Sequence, residues 1–136
     1  MQNRPFRGGR QQRAPSPPFD PQRERIRKAL SGDAKELVAY ADEMARHLAS
    51  GPQALSTSQI RNVLDEIQRM GAYDHERLQL LRPRLAYAAG RHKGRVQDLQ
   101  AIFDAAIEMT DESNFRHFRS LAEAIVGYHR CHGGRE

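Results

Sequence analysis

The chain has no tryptophan, one cysteine, and only five phenylalanines and four tyrosines among 136 residues. It also lacks any long apolar run, with a mean hydropathy of −0.80 and an apolar share of 38%. The scarcity of large rings limits the chain to one domain with a modest, mostly aliphatic core. The lone Cys131 excludes an internal disulfide framework and fits a reducing cytoplasm. No segment approaches the length of a membrane span, and none near Met1 has the apolar stretch of a signal peptide. Phosphate-loop and CxxC patterns are missing, and His75-Glu76 has no second histidine to complete HExxH. His129, Cys131 and His132, with His117 as the nearest supplement, fall short of the paired ligands that structural zinc uses. Acid pairs such as Asp111-Glu112 sit at helix starts, where they complement the helix dipole. The sequence therefore reads as no enzyme, with no metal and no cofactor.

What the chain does have is positive charge, unevenly placed. Residues 1–30 carry eight Lys or Arg against two acids, a surplus of +6 against +5 for the whole chain. Residues 31–136 thus sum to −1, and without the stretch from Arg77 to Gln97 they sum to −7. That stretch of twenty-one residues contains no acid and six bases: Arg77, Arg82, Arg84, Arg91, Lys93 and Arg95. A positive field concentrated in this way attracts polyanions, of which nucleic acid is the commonest in a cell.

Residues 1 to about 21 hold five of the seven prolines, Gly8-Gly9, and Arg4, Arg7, Arg10 and Arg13. Too little apolar surface is present there to offset the entropy of ordering, which predicts a disordered basic arm over residues 1–30. A short helix from Gln22 to Leu30 is compatible with its end. From Asp33 onward the period is helical. Leu37, Val38, Ala41, Met44, Ala45 and Leu48 trace one helix face before Gly51-Pro52. Ser56-Thr57-Ser58-Gln59 forms a capping box for a helix with Ile60, Val63, Leu64, Ile67 and Met70 inside, stopped by Gly71. A third helix is predicted from about Asp74 to Ala89, ended by Gly90, with Leu78, Leu81, Leu85 and Ala89 inward. Val96, Leu99, Ile102, Phe103, Ala106 and Ile107 mark a fourth, and Phe115, Phe118, Ala122, Ile125 and Val126 a fifth. The expected fold is an all-α bundle of about five amphipathic helices over residues 31–132, followed by a flexible tail over 133–136.

Helical phase sorts the basic groups. Arg77, Arg84 and Arg91 are spaced seven apart, a stripe ~21 Å long at 1.5 Å per residue. Pro83 lies inside it and threatens a kink. Gly90 to Arg95 adds charge on a Gly-flanked turn whose backbone is free to approach a sugar–phosphate chain. Arg61, Asp65 and Arg69 at i, i+4 and i+8 fit an ion ladder.

Three blocks carry a family resemblance. Thr57-Ser58-Gln59-Ile60-Arg61-Asn62 opens one helix, Leu85-Ala86-Tyr87-Ala88-Ala89-Gly90-Arg91 closes the next, and Phe115 to Tyr128 forms the last. In this order and spacing, from about Leu55 to His129, they resemble the small subunit of the Csm complex, the type III-A CRISPR interference effector. The resemblance implies a non-catalytic helical protein stacked head to tail in several copies along the guide RNA–target RNA duplex. Its partners would be both RNAs, the large polymerase-like subunit and the backbone subunits. It implies contacts to the RNA backbone without base reading, carried at the matching positions by Arg61 and Arg91. Charge and phase add Arg69, Arg82, Arg84 and Lys93. Arg61 would then serve Asp65 and a phosphate together. Pro83 and the long arm depart from the family pattern. The competing readings are a helical protein–protein adaptor that never meets RNA, and the small subunit of the related type III-B complex. A helix-turn-helix DNA binder lacks its short recognition helix.

Overall fold

A computed structural model describes residues 19–133. The expected arm before residue 19 and the tail from 134 onward lie outside the described residues. Six helices and no strand occupy the described part. They are α1 (Arg23–Leu30), α2 (Ala34–Leu48), α3 (Thr57–Arg69), α4 (His75–Arg91), α5 (Arg95–Glu108) and α6 (Phe115–Cys131). The all-α bundle is thus as the periodicity predicts. Its first helix also packs: Ile26, Ala29 and Leu30 are buried in the common core. The packed structure therefore begins ahead of residue 31, within the stretch read from composition as the arm.

Local chemistry sets the helix starts. The Asp33 carboxylate accepts from the Glu36 amide at 3.1 Å, and Asp74 accepts from the Arg77 amide at 3.1 Å. At α3 the capping box forms in both directions: the Gln59 amide donates to Ser56 Oγ at 3.3 Å, and the Ser56 amide donates to Gln59 Oε1 at 2.9 Å. These bonds satisfy amides that have no partner within their helix. Gly94 opens α5 with φ of 92°, and a Cβ there would come within 2.5 Å of Gln53 Cβ. Both the backbone angle and the space demand glycine. The Arg95 amide donates to the Gln53 carbonyl beside it.

The core is built on α6, which packs most extensively on α2 and also on α3 and α1, while α4 lies against α5. Phe118 meets Phe103 edge to face at 6.0 Å and stacks on Phe115 at 6.2 Å. Tyr40 is buried on α2, its hydroxyl donating to the Pro21 carbonyl at 2.7 Å. Val38, expected inside, is 46% exposed. It sits ~100° from Leu37, on the flank of the apolar stripe, where the small Ala45 can be covered and a larger side chain is not. α4 also differs from expectation, since it runs through Gly90 to Arg91. Gly90 is not among the positive-φ glycines, so it continues the helix instead of capping it. His129 is buried at the end of α6, its Nε2–H donating to the Leu55 carbonyl at 2.8 Å. Burial holds its pKa below the ordinary imidazole value, so it serves packing in its neutral form.

Candidate nucleic-acid interface

The contact between α3 and α4 is among the slighter helix contacts of the bundle, and it opens a groove to solvent. Arg77, Leu80, Met70 and Glu66 line one end. Glu66, Arg84, Asn62, Gln59 and His92 line the middle. Arg91, His92, Lys93 and Gln53 line the other end. The floor is apolar, from Val63, Leu81, Leu85 and Val96. Among the described residues Glu66 is the single carboxylate in the lining, against Arg77, Arg84, Arg91 and Lys93.

Pro83 does not break the stripe. α4 continues through it, and Arg77 and Arg84, on either side of it, line the same end of the groove. The ring removes the amide that would bond the Gln79 carbonyl, but Pro83 is exposed, so water can reach that carbonyl.

The six acid-free bases have separate fates. Arg82 turns away from the groove and clamps α4 to α5, with Nε on Asp104 and Nη2 on Glu108, both at 3.0 Å. The hydrogen bond to Asp104 raises its pKa further above the ordinary arginine value. Arg95 donates to the Ser50 carbonyl at 3.2 Å and to Asp98 at 3.4 Å, holding the loop after α2. Arg84 pairs with Glu66 across the groove while keeping most of its side chain in solvent. Arg91 meets no carboxylate among the described residues and donates to the Tyr87 hydroxyl at 3.3 Å. Arg77 and Lys93 are exposed, and among the described residues their side chains form no ion pair.

On α3 the expected ion ladder does not form. Arg69 pairs with Glu66 at 2.6 Å instead of Asp65, and Arg61 is exposed without a carboxylate partner among the described residues. Helical phase puts Arg61 ~140° around α3 from Glu66. It lies on the side of Gln68, which donates to Glu123 of α6 at 2.8 Å. Arg61 therefore does not join the groove, whereas Arg84, Arg91 and Lys93 do and Arg69 reaches its edge through Glu66. Burial pushes the Glu66 carboxyl up, but the hydrogen bonds and charges of Arg84 and Arg69 outweigh it, and its pKa is lowered. Glu66 was missed from sequence because it belongs to a different helix from Arg84, the base of the acid-free stretch that it neutralises.

The arrangement offers an open positive edge over an apolar floor. Among the described residues, no group of three or more His, Cys, Asp or Glu side chains is placed to hold a metal ion. No described helix is long and apolar enough to cross a membrane. Residues 31–135, most of the chain, match the family model described as Csm2 type III-A. No curated protein and no solved structure matches the chain.

Proposed function

The chain belongs to the Csm2 type III-A family, the small subunit of the Csm complex, and on that premise we propose that its α4 edge lies along the backbone of the guide RNA–target RNA duplex. The family is a non-catalytic structural subunit, and the type III-A match sets aside the type III-B reading. The carrying observation is the groove edge itself, where among the described residues Arg77, Arg91 and Lys93 have no carboxylate partner and Arg84 has one. Surfaces normally interleave both signs, and four cations along α4 and its adjoining loop with one carboxylate among them suit a row of phosphates. Arg84, Arg91 and Lys93 are the principal contacts in this reading. Arg61 makes a separate contact from the outer side of α3, and Arg69 contributes what Glu66 leaves to it. Arg82 is spent on Asp104 and Glu108, so its part is to hold α4 in place. Stacking of several copies, head to tail and opposite the backbone subunits, belongs to the same proposal. It requires two different surfaces per subunit.

The test is RNA binding over a series of salt concentrations, with the subunit alone and in the assembled complex. Phosphate contacts predict an affinity that falls with salt, is indifferent to RNA sequence, and weakens in Arg84→Glu/Arg91→Glu. Unchanged binding by a folded double variant would overturn the reading in favour of a helical adaptor.

A further inference from the structure

Large apolar side chains left in solvent are few among the described residues: Val38, Leu80 at 56% and Tyr87 at 70% exposure. Two of the three lie on α4, seven residues apart, with the exposed Pro83 between them. At ~100° per residue, Leu80, Pro83 and Tyr87 fall within ~60° of one another, immediately outside the line of Arg77, Arg84 and Arg91. One exposed ring on a surface needs no explanation. An apolar strip running beside a row of cations on the same helix does.

We propose that Tyr87 is a stacking platform for an unpaired base of the bound RNA. By this means the subunit would distinguish a duplex carrying an unstacked nucleotide from one that is continuous. The inference rests on the RNA-backbone reading above. A continuous A-form duplex keeps its bases stacked and offers this ring no π-face, whereas an extruded base offers one. Tyr87 is flanked on its helix by the residues that would hold that nucleotide's phosphates. Arg91 donates to its hydroxyl at 3.3 Å, Arg84 lies three residues before it, and Lys93 follows in the adjoining loop. A protein partner is the poorer occupant. Covering Leu80 and Tyr87 with protein would also cover Arg77 and Arg91, which meet no carboxylate among the described residues. Unpaired charge at the centre of an interface is costly to desolvate.

The experiment compares two short RNA duplexes, one fully paired and one with a single bulged adenine replaced by a fluorescent analogue. Each is titrated with the full chain and with Tyr87→Ala, Tyr87→Phe and Arg84→Glu/Arg91→Glu, after melting curves have shown each variant folded. The wild type should bind the bulged duplex more tightly and quench its fluorophore. Tyr87→Ala should lose the quenching and bind the bulged duplex about five- to tenfold more weakly, with affinity for the paired duplex unchanged. Tyr87→Phe keeps the ring and should behave as the wild type. Equal behaviour of Tyr87→Ala on both duplexes overturns the proposal. So does a loss confined to association with other subunits, which would make the strip a protein surface. If stacking fails while the double arginine variant still weakens both duplexes, the backbone reading stands without it. If that variant weakens neither, the backbone reading falls and takes this proposal with it.

Discussion

Arg25 on α1 and Arg91 on α4 are both arginines on helices, in stretches where the sequence is rich in base, and their surroundings differ completely. Arg25 donates to Glu36 at 2.8 Å and to Glu43 at 2.7 Å, and its guanidinium lies 5.4 Å from the centre of the Tyr40 ring. Its pKa is raised by the hydrogen bonds to Glu36 and Glu43, and the Glu43 carboxyl is held below its ordinary value by the Arg25 hydrogen bond. Arg91 is exposed and donates to a tyrosine hydroxyl. The first arginine fastens α1 to α2, while the second leaves its charge available. Density of arginine along the chain does not separate these two uses. What separates them is whether a neighbouring helix presents a carboxylate, and α4 shows both outcomes within one helix. Arg82 faces Asp104 and Glu108 of α5, whereas Arg77 and Arg91 face none among the described residues.

The widest break in this comparison comes from reversing the available charges. Arg84→Glu/Arg91→Glu should weaken RNA binding at least about tenfold near 0.1 M salt and flatten the salt slope by about two. Melting should move little, since both side chains are exposed and exposed pairs contribute at most about 1 kcal/mol. The opposite pattern is expected on the fastened side. Arg25→Ala takes the arginine from Glu36 and Glu43, and Arg82→Ala takes it from Asp104 and Glu108, of which Glu108 keeps Arg23 at 2.9 Å; each should cost roughly 1 kcal/mol of stability in denaturant titration. Neither should change the salt slope of RNA binding. An Arg82→Ala variant that melts normally but binds RNA poorly would dissolve the distinction.

The helices were legible in the sequence because each satisfies a local rule. Ser56 and Gln59 cap α3 as the motif predicts, and the apolar residues of α4, α5 and α6 recur at helical spacing. Legibility ended where the answer depends on a second helix. Val38 read as core because the pattern gives the direction of a side chain and not the depth of cover over it. Gly90 read as a stop because glycine permits a left-handed cap without requiring one. The stretch from Arg77 to Gln97 is free of acid only along the chain. In space Glu66 reaches it from α3 and Asp104 and Glu108 from α5, and these contacts span eighteen to twenty-six residues. The Arg61–Asp65–Arg69 ladder failed for a local reason, since Arg69 bonds Glu66 at i−3 on its own helix, and among the described residues Arg61 has no carboxylate partner.

Glu66 is where the two kinds of arginine meet, and a single substitution there should move residues from one kind to the other. Glu66→Gln removes the only carboxylate that the described residues give the groove lining and releases Arg84 and Arg69. RNA affinity should rise about two- to threefold, with a salt slope steeper by no more than about one. Stability should fall by a few tenths of a kcal/mol, as for exposed ion pairs. A gain in affinity from deleting a hydrogen-bonded partner would be hard to obtain if the groove bound an acidic protein through Gln59 and Asn62 alone.

The smallest effect separates Arg61 from Arg69, two turns apart on α3. Among the described residues Arg61 has no carboxylate to give up, so Arg61→Ala should weaken RNA binding about twofold, a fraction of one phosphate contact. Arg69 bonds Glu66 at 2.6 Å, so Arg69→Ala should have less effect in the wild type. In the Glu66→Gln background that bond is gone, and Arg69→Ala should then cost as much as Arg61→Ala. The coupling between positions 66 and 69, read from a double-mutant cycle on RNA affinity, measures how far a carboxylate on the same helix withholds an arginine from the ligand. Additive effects would mean that Arg69 contacts RNA without releasing Glu66, or makes no contact. The size of the Arg69→Ala effect in the wild type decides between those two.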